Sequence, residues 1–329
     1  MSVEQLWCGR TEDAAFNHAR ALLWHHVVRF SPPQTPASKD SPTKQLAVIG
    51  YPSDEGARLN QGRVGAAEGP TYLRKMLASV AWPWQAELYD CGNTPVYSDL
   101  PATQHHYQQK LAGLLRHSHA VLSLGGSHDI AVGSYLALAQ HLPPKQTIGI
   151  INIDAHLDLR SPATGPSSGT PFRQIAQWCD THQRAFHYVC LGVSRASNSA
   201  ALFEFANHKQ CTVISDTDFS FDTAKIAVAP MLRYIDNLYV TVCMDAFPGY
   251  AAPGVSAPAA LGVDPIHVIK LLNWLGNAAS SAGVSWQLAD IAELNPRYDI
   301  DCRTARLAAR LGFTLAQAML SNTTPRVYT

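Results

Sequence analysis

Charge is scarce in this sequence, and neither sign is in excess. Lys and Arg together number 25, Asp and Glu together number 25, and charged residues make up only 15% of the 329 residues. A protein that holds nucleic acid or an acidic membrane by charge carries a basic excess. This chain has none, so no nucleic-acid or membrane partner is expected. Long apolar runs are missing too: no stretch approaches the roughly 20 residues that a membrane-spanning helix needs. The opening residues, Met1-Ser2-Val3-Glu4-Gln5-Leu6, lack a basic stretch followed by an apolar one. No secretory signal is read there, and a cytoplasmic location is expected. The seven cysteines, Cys8, Cys91, Cys179, Cys190, Cys211, Cys243 and Cys302, are odd in number and form no Cys-x-x-Cys pair. Such a set suits reduced thiols better than a disulfide framework. Most of them read as small buried hydrophobes.

What the sequence has is apolar material, 47% of its residues, enough for a large core. Residues 31–44 are rich in Pro, Ser, Thr and Lys and read as a loop after a short N-terminal helical piece. The expected division is an N-terminal extension over 1–44 and a single α/β domain over 45–329. Within that domain short apolar runs recur at 46–50, 120–124, 148–153, 188–193, 212–215, 239–244 and 286–291. They are of strand length and do not alternate, as expected of strands buried on both faces of a parallel sheet. Stretches of helical character lie between them, at 107–116, 130–140, 265–275 and 304–319. Strands alternating with helices predict helices on both faces of one sheet. Ligands of such sheets bind outside the carboxyl ends of the strands.

Three polar clusters follow apolar runs. The first is Gly125-Gly126-Ser127-His128-Asp129. The second is Asn152-Ile153-Asp154-Ala155-His156-Leu157-Asp158-Leu159-Arg160. The third is Cys243-Met244-Asp245, followed by Ala252-Pro253-Gly254-Val255-Ser256-Ala257-Pro258. In an extended chain the alternating Asp154, His156 and Asp158 point the same way, so two carboxylates and an imidazole can meet one cation. This mixed N/O set suits Mn²⁺ better than a thiolate-seeking ion. His128 sits in a glycine-flanked turn where backbone can approach a ligand closely.

Gly-Gly-x-His, Asp-Ala-His-x-Asp, and an Asp followed seven residues later by Ala-Pro-Gly resemble, in order, the ligand motifs of the arginase-like ureohydrolases: arginase, agmatinase and formimidoylglutamase. The resemblance spans about 46–320. It implies a three-layer αβα fold with a mostly parallel sheet of about eight strands. It also implies two Mn²⁺ ions held by His128, Asp154, His156, Asp158 and Asp245, and a homotrimer or hexamer. Where the family has a bridging Asp, this chain has Cys243, which either joins the ligands or points into the core. Paired cations lower the pKa of a shared water. The resemblance places Asp158 against the hydroxide so formed, as the group that moves the proton. It makes Glu293 the residue that holds the substrate's cationic end.

Several strings resemble the formimidoylglutamase branch: Ser168-Gly169-Thr170-Pro171-Phe172-Arg173-Gln174, Gly56 to Ala66, Leu191 to Asn198, and Pro253 to Ala259. N-formimidoyl-L-glutamate has two carboxylates and a cationic amidine. Carboxylates call for the planar fork of arginine, so Arg160, Arg63, Arg173 and Arg195 are the expected substrate contacts, with Asn60, Ser168 and Thr170. Two other readings stay open. One is an agmatinase or other guanidino hydrolase, whose substrate need carry no carboxylate. The other is a metal-poor, non-catalytic relative, motivated by Cys243, since a soft thiolate suits Mn²⁺ poorly.

Overall fold

The computed structural model describes residues 2–10, 22–34, 36–37 and 43–320. Its nine strands are β1 (Val28–Arg29), β2 (Lys44–Gly50), β3 (Ala86–Asn93), β4 (Ala120–Leu124), β5 (Ile148–Ile153), β6 (His187–Val193), β7 (Thr212–Ser215), β8 (Asn237–Cys243) and β9 (Ser285–Ala292). They form one sheet in the order β1-β3-β2-β4-β9-β8-β5-β6-β7. Every pairing in it is parallel.

The seven apolar runs read from the sequence all appear as strands, shifted at their ends by two residues at most. Every residue of β4, β5 and β8 is buried, which is why those runs do not alternate. The two strands not anticipated lie toward one edge. β1 has only two residues. β3 reads Ala-Glu-Leu-Tyr-Asp-Cys-Gly-Asn and is only partly buried, so its polar residues hid it.

The helices of the described residues are α1 (Trp24–Val27), α2 (Glu55–Leu59), α3 (Gly69–Leu77), α4 (Leu100–Leu115), α5 (Ile130–His141), α6 (Pro171–Thr181), α7 (Ala200–His208), α8 (Phe221–Val228), α9 (Pro265–Ser281) and α10 (Arg303–Met319). α4 starts well before the expected 107, because Asp99 caps it by accepting from Ala102 N and Pro101 occupies its first turn. One face of the sheet packs on α3, α8, α9 and α10, the other on α4, α5, α6 and α7. The result is the expected three-layer αβα arrangement. None of these helices is long and apolar enough to cross a membrane.

The described part of the N-terminal segment is packed into the first of these layers. Trp24 is fully buried, edge-on to Trp82 at 5.1 Å and stacked on Trp7 at 6.3 Å. Trp7 Nε1 donates to Asp90 Oδ2 at 2.6 Å. That carboxylate also takes Arg74 Nε at 2.6 Å and Nη2 at 2.9 Å, a fully buried bidentate pair tying α3 to β3. Residues 11–21, positions 35 and 38–42 of the expected 31–44 loop, and the tail 321–329 lie outside the described residues.

Candidate metal centre

β4, β9, β8 and β5 are consecutive neighbours in the middle of the sheet, and each of the polar clusters follows one of them. His128 lies in the turn after β4, Glu293 just after β9, Cys243 and Asp245 at the end of β8, and Asp154 to Asp158 after β5. Close backbone approach sets these turns. A Cβ on Gly126 would lie 2.0 Å from Ser53 O, so only glycine lets the turn after β4 lie against the loop after β2. Gly126 O accepts from Glu293 N at 2.7 Å, and Glu293 Oε1 accepts from His128 N at 2.9 Å. Asp158 and Glu293 both have left-handed backbones, φ 48° and 66°. Such conformations cost about 1–3 kcal/mol and gather at functional sites.

The donor atoms converge. His128 Nδ1 lies 2.9 Å from Asp154 Oδ2 and 3.0 Å from Asp158 Oδ2. His156 Nδ1 lies 3.5 Å from Asp154 Oδ1 and 3.3 Å from Asp245 Oδ2. The ligand atoms of His128, Asp154 and Cys243 fall within 4.8 Å of one another, and so do those of Asp154, His156 and Asp245. There are thus two donor sets, with Asp154 common to both. Its oxygens are fixed by His156 N at 2.8 Å and Asn152 Nδ2 at 3.1 Å.

The chemistry of these sets fits divalent cations. His128 Nδ1 is buried and, despite its short distances to two carboxylates, makes no aligned hydrogen bond with either. A ring nitrogen so placed is free to serve a cation as a ligand. Asp245 Oδ1 and Glu293 Oε2 are likewise buried without a partner. Burial pushes the carboxyls of Asp158 and Glu293 up, with Asp154 adding to the first and Asp245 to the second, to about 6 and about 8. Burial opposes protonation of the imidazoles, yet the carboxylates prevail. Asp154 and Asp158 hold His128 well above its usual pKa, and Asp245 and Asp154 hold His156 up to about 12. Burial, then Asp154, Asp245 and Glu293, push the Cys243 thiol well above the usual range. Four carboxylates around two imidazoles form an acidic pocket that positive charge would stabilise.

A cavity of about 300 Å³ opens onto this cluster, walled by His128, His156, Asp158, Cys243, Asp245 and Glu293 and by Asn60, Arg63, Arg160 and Ser168. An outer cavity of about 540 Å³ adjoins it through Asn60, Gln61 and Arg160 and includes Thr170. The four expected arginines part company here. Arg160 is exposed on the wall of both cavities. Arg63 spends its guanidinium on Ser256 O at 3.1 Å and Val255 O at 2.5 Å, over the ring of Tyr298. It clamps the loop 253–257. Arg173 lies over Phe205, its guanidinium carbon 3.4 Å from the ring centre. Arg195 lines a different cavity, beside Phe203 and Asp218. Neither Arg173 nor Arg195 reaches the metal-facing cavity. The Thr170 hydroxyl is taken up by Ser167 and Gln174.

Sequence reasoning missed Asn198 as a site element. It walls the cavity, accepts from Leu157 N at 2.9 Å and donates to Ala155 O at 3.0 Å. It thereby holds the backbone of the Asp154–Asp158 stretch. Its place at the end of the Leu191–Asn198 string was the available signal.

Residues 44–317 match the sequence profile of the arginase family. The formimidoylglutamase of Hahella chejuensis is 41% identical over 98% of this chain and 98% of its own length. That of Chromobacterium violaceum is 41% identical over 95% of this chain and 97% of its own. Among solved structures, the formimidoylglutamase of Bacillus subtilis superposes with a TM-score of 0.75 at 23% identity, covering 95% of this chain and 97% of its own. Trypanosoma cruzi formiminoglutamase with Mn²⁺ gives 0.71 at 24% identity, over 86% of this chain and 96% of its own.

Proposed function

Since the chain belongs to the arginase family, we propose that it hydrolyses N-formimidoyl-L-glutamate to L-glutamate and formamide, a step of histidine degradation. The observation that carries this reading is local. Two donor sets share Asp154, and the unpartnered Oε2 of Glu293 and the exposed guanidinium of Arg160 stand on the wall of the same cavity. His128, Asp154 and Asp158, beside Cys243, would hold one Mn²⁺, and Asp154, His156 and Asp245 the other. When bound, such a pair supplies hydroxide near neutral pH and draws electrons from the carbon under attack.

The side chains do the rest. Glu293 holds the amidinium, the substrate's one cationic group, by a charged hydrogen bond. Arg160 holds a substrate carboxylate by its fork, with Asn60 and Ser168 beside it. Asp158 takes the proton from the attacking water and passes it to the nitrogen that joins formimidoyl to glutamate. The C–N bond breaks, glutamate leaves as the amine and the carbon departs as formamide. The chain would work in the cytoplasm as a homotrimer or hexamer.

Turnover with Mn²⁺ present should give formamide and glutamate in equal amounts. Ammonia with N-formylglutamate, or no turnover, would refute the reading. Urea released from agmatine would favour the guanidino-hydrolase reading, which leaves Arg160 without a carboxylate partner. A chain that binds no Mn²⁺ would be the non-catalytic relative.

A further inference from the structure

The face of His128 that turns away from the cavity meets groups that take no part in the reaction proposed above. Its Nε2 lies 3.0 Å from Thr241 Oγ1. Thr241, on β8, stands opposite Asp290 of β9 in the strand register. Asp290 is fully buried. Its Oδ2 accepts from Tyr239 at 2.6 Å and from Ser134 at 2.7 Å. Tyr107 closes the set, 2.9 Å from Ser134 and 2.8 Å from Ser123. Asp290 Oδ1 is buried without an aligned partner, on the strand next to Thr241 and opposite it in register.

Hydrogen accounting gives the chain a direction. An imidazole that faces two carboxylates as a ligand through Nδ1 keeps its proton on Nε2. That proton is donated to Thr241 Oγ1. The single hydroxyl hydrogen of Thr241 is then directed elsewhere, and Asp290 Oδ1 is the buried acceptor across the strand pair. Tyr239 and Ser134 already donate to Oδ2, so both oxygens of Asp290 act as acceptors.

We propose that Asp290 and Thr241 form a relay that fixes the His128 tautomer, orients its ring and makes Nδ1 a stronger donor to a divalent cation. The relay rests on the reading of His128 as a ligand. Carboxylates behind metal-bound histidines play this part in other proteins, and losing them costs about 10- to 100-fold in metal affinity. Here a threonine stands between the two: Thr241 Oγ1 lies 3.0 Å from His128 Nε2, and Asp290 is its register partner on the neighbouring strand β9. Both residues are positioning residues.

The test is Mn²⁺ titration of the full chain by calorimetry, with thermal unfolding as the check on folding. Thr241→Val keeps the β-branched shape and strand preference but removes the hydroxyl. Asp290→Asn must turn its oxygen to Tyr239 and Ser134, which leaves an NH₂ group facing Thr241. Each should weaken Mn²⁺ binding by about 10- to 100-fold, while Thr241→Ser should stay within about threefold of wild type. A folded Thr241→Val or Asp290→Asn variant that binds Mn²⁺ as tightly as wild type would overturn the relay. So would Thr241→Ser binding as weakly as Thr241→Val. Asp290→Asn decides alone if Thr241→Val does not fold. His128→Ala separates the two levels: if it leaves Mn²⁺ affinity unchanged, His128 is no ligand and the underlying reading has failed.

Discussion

Arg160→Ala tests how the substrate is told apart from others of its class. Of the four arginines expected to meet the two substrate carboxylates, Arg63 is committed to backbone carbonyls, Arg173 to Phe205, and Arg195 to another cavity. Arg160 alone among them is exposed on the wall of both cavities, and its backbone is pinned by Arg160 N to Gly169 O at 2.9 Å. A hydrogen bond to a charged group contributes about 1.5–3 kcal/mol. Exposure and salt screening move this one toward the low end. About 2 kcal/mol corresponds to roughly a 30-fold rise in KM. Little change in kcat is expected, since the contact lies away from the reacting carbon and is made equally in ground and transition states. Arg160→Lys should recover part of the loss, because the charge returns without the fork. Initial rates of glutamate release, coupled to glutamate oxidation, measure it. With one anchor for two carboxylates, removing one of them from the substrate should cost far more than removing the other. Arg160→Ala should erase the difference between the full substrate and the analogue lacking the anchored group. An unchanged KM in Arg160→Ala would show that this arginine does not touch the substrate.

His156→Ala and Asp158→Ala should each lower kcat by at least about 100-fold, the scale of a lost proton-transfer group or ligand, while the unfolding temperature without metal changes little; near-normal kcat in either would remove that residue from the site. Cys243→Asp replaces a buried thiol with the hard oxygens Mn²⁺ prefers, so metal titration should show unequal ions in wild type and tighter binding of the weaker one in the variant. Two equally tight ions in wild type, unaffected by the substitution, would refute this. Asp90→Ala strands the fully buried Arg74 and should destabilise the chain by about 3–5 kcal/mol in denaturant unfolding, with no effect on Mn²⁺ affinity. Mn²⁺ at about 100 times its dissociation constant should add about 2.7 kcal/mol of stability, and a chelator should reverse it; a melting temperature indifferent to both would argue against a bound cation.

The central strands were legible because burial on both faces leaves a run with no polar residue to break it, as in Ile148–Ile153. β3 was not, because its Asp90 is buried against Arg74 rather than exposed, and a carboxylate in a run reads as solvent-facing. His128, the Asp154–Asp158 stretch and Asp245 could be read as one cluster since each follows a strand that ends at the same edge. The arginines could not be sorted. Whether a guanidinium faces a cavity, a ring or a carbonyl depends on contacts such as Arg63 with Val255, 192 positions apart in sequence. Thr241 and Asp290 were invisible for a related reason: inside an apolar run, a threonine or an aspartate gives no sign of which cross-strand neighbour it meets.

These two kinds of legibility have one physical origin. A buried carboxylate oxygen without a partner is costly, and the carboxylates that follow the central strands leave two such oxygens, Asp245 Oδ1 and Glu293 Oε2, beside Asp154 and Asp158. Burial pushes the Asp158 and Glu293 carboxyls up, to about 6 and about 8, so the cluster resists carrying four negative charges beside two imidazoles. Divalent cations at the two donor sets would offset that cost. Cys243 is then the informative departure, because it lowers the negative charge of the pocket by one where two cations would meet. The number of ions retained should follow from that subtraction, with the Asp154–His156–Asp245 set, more open to solvent through His156, the one to release its ion first.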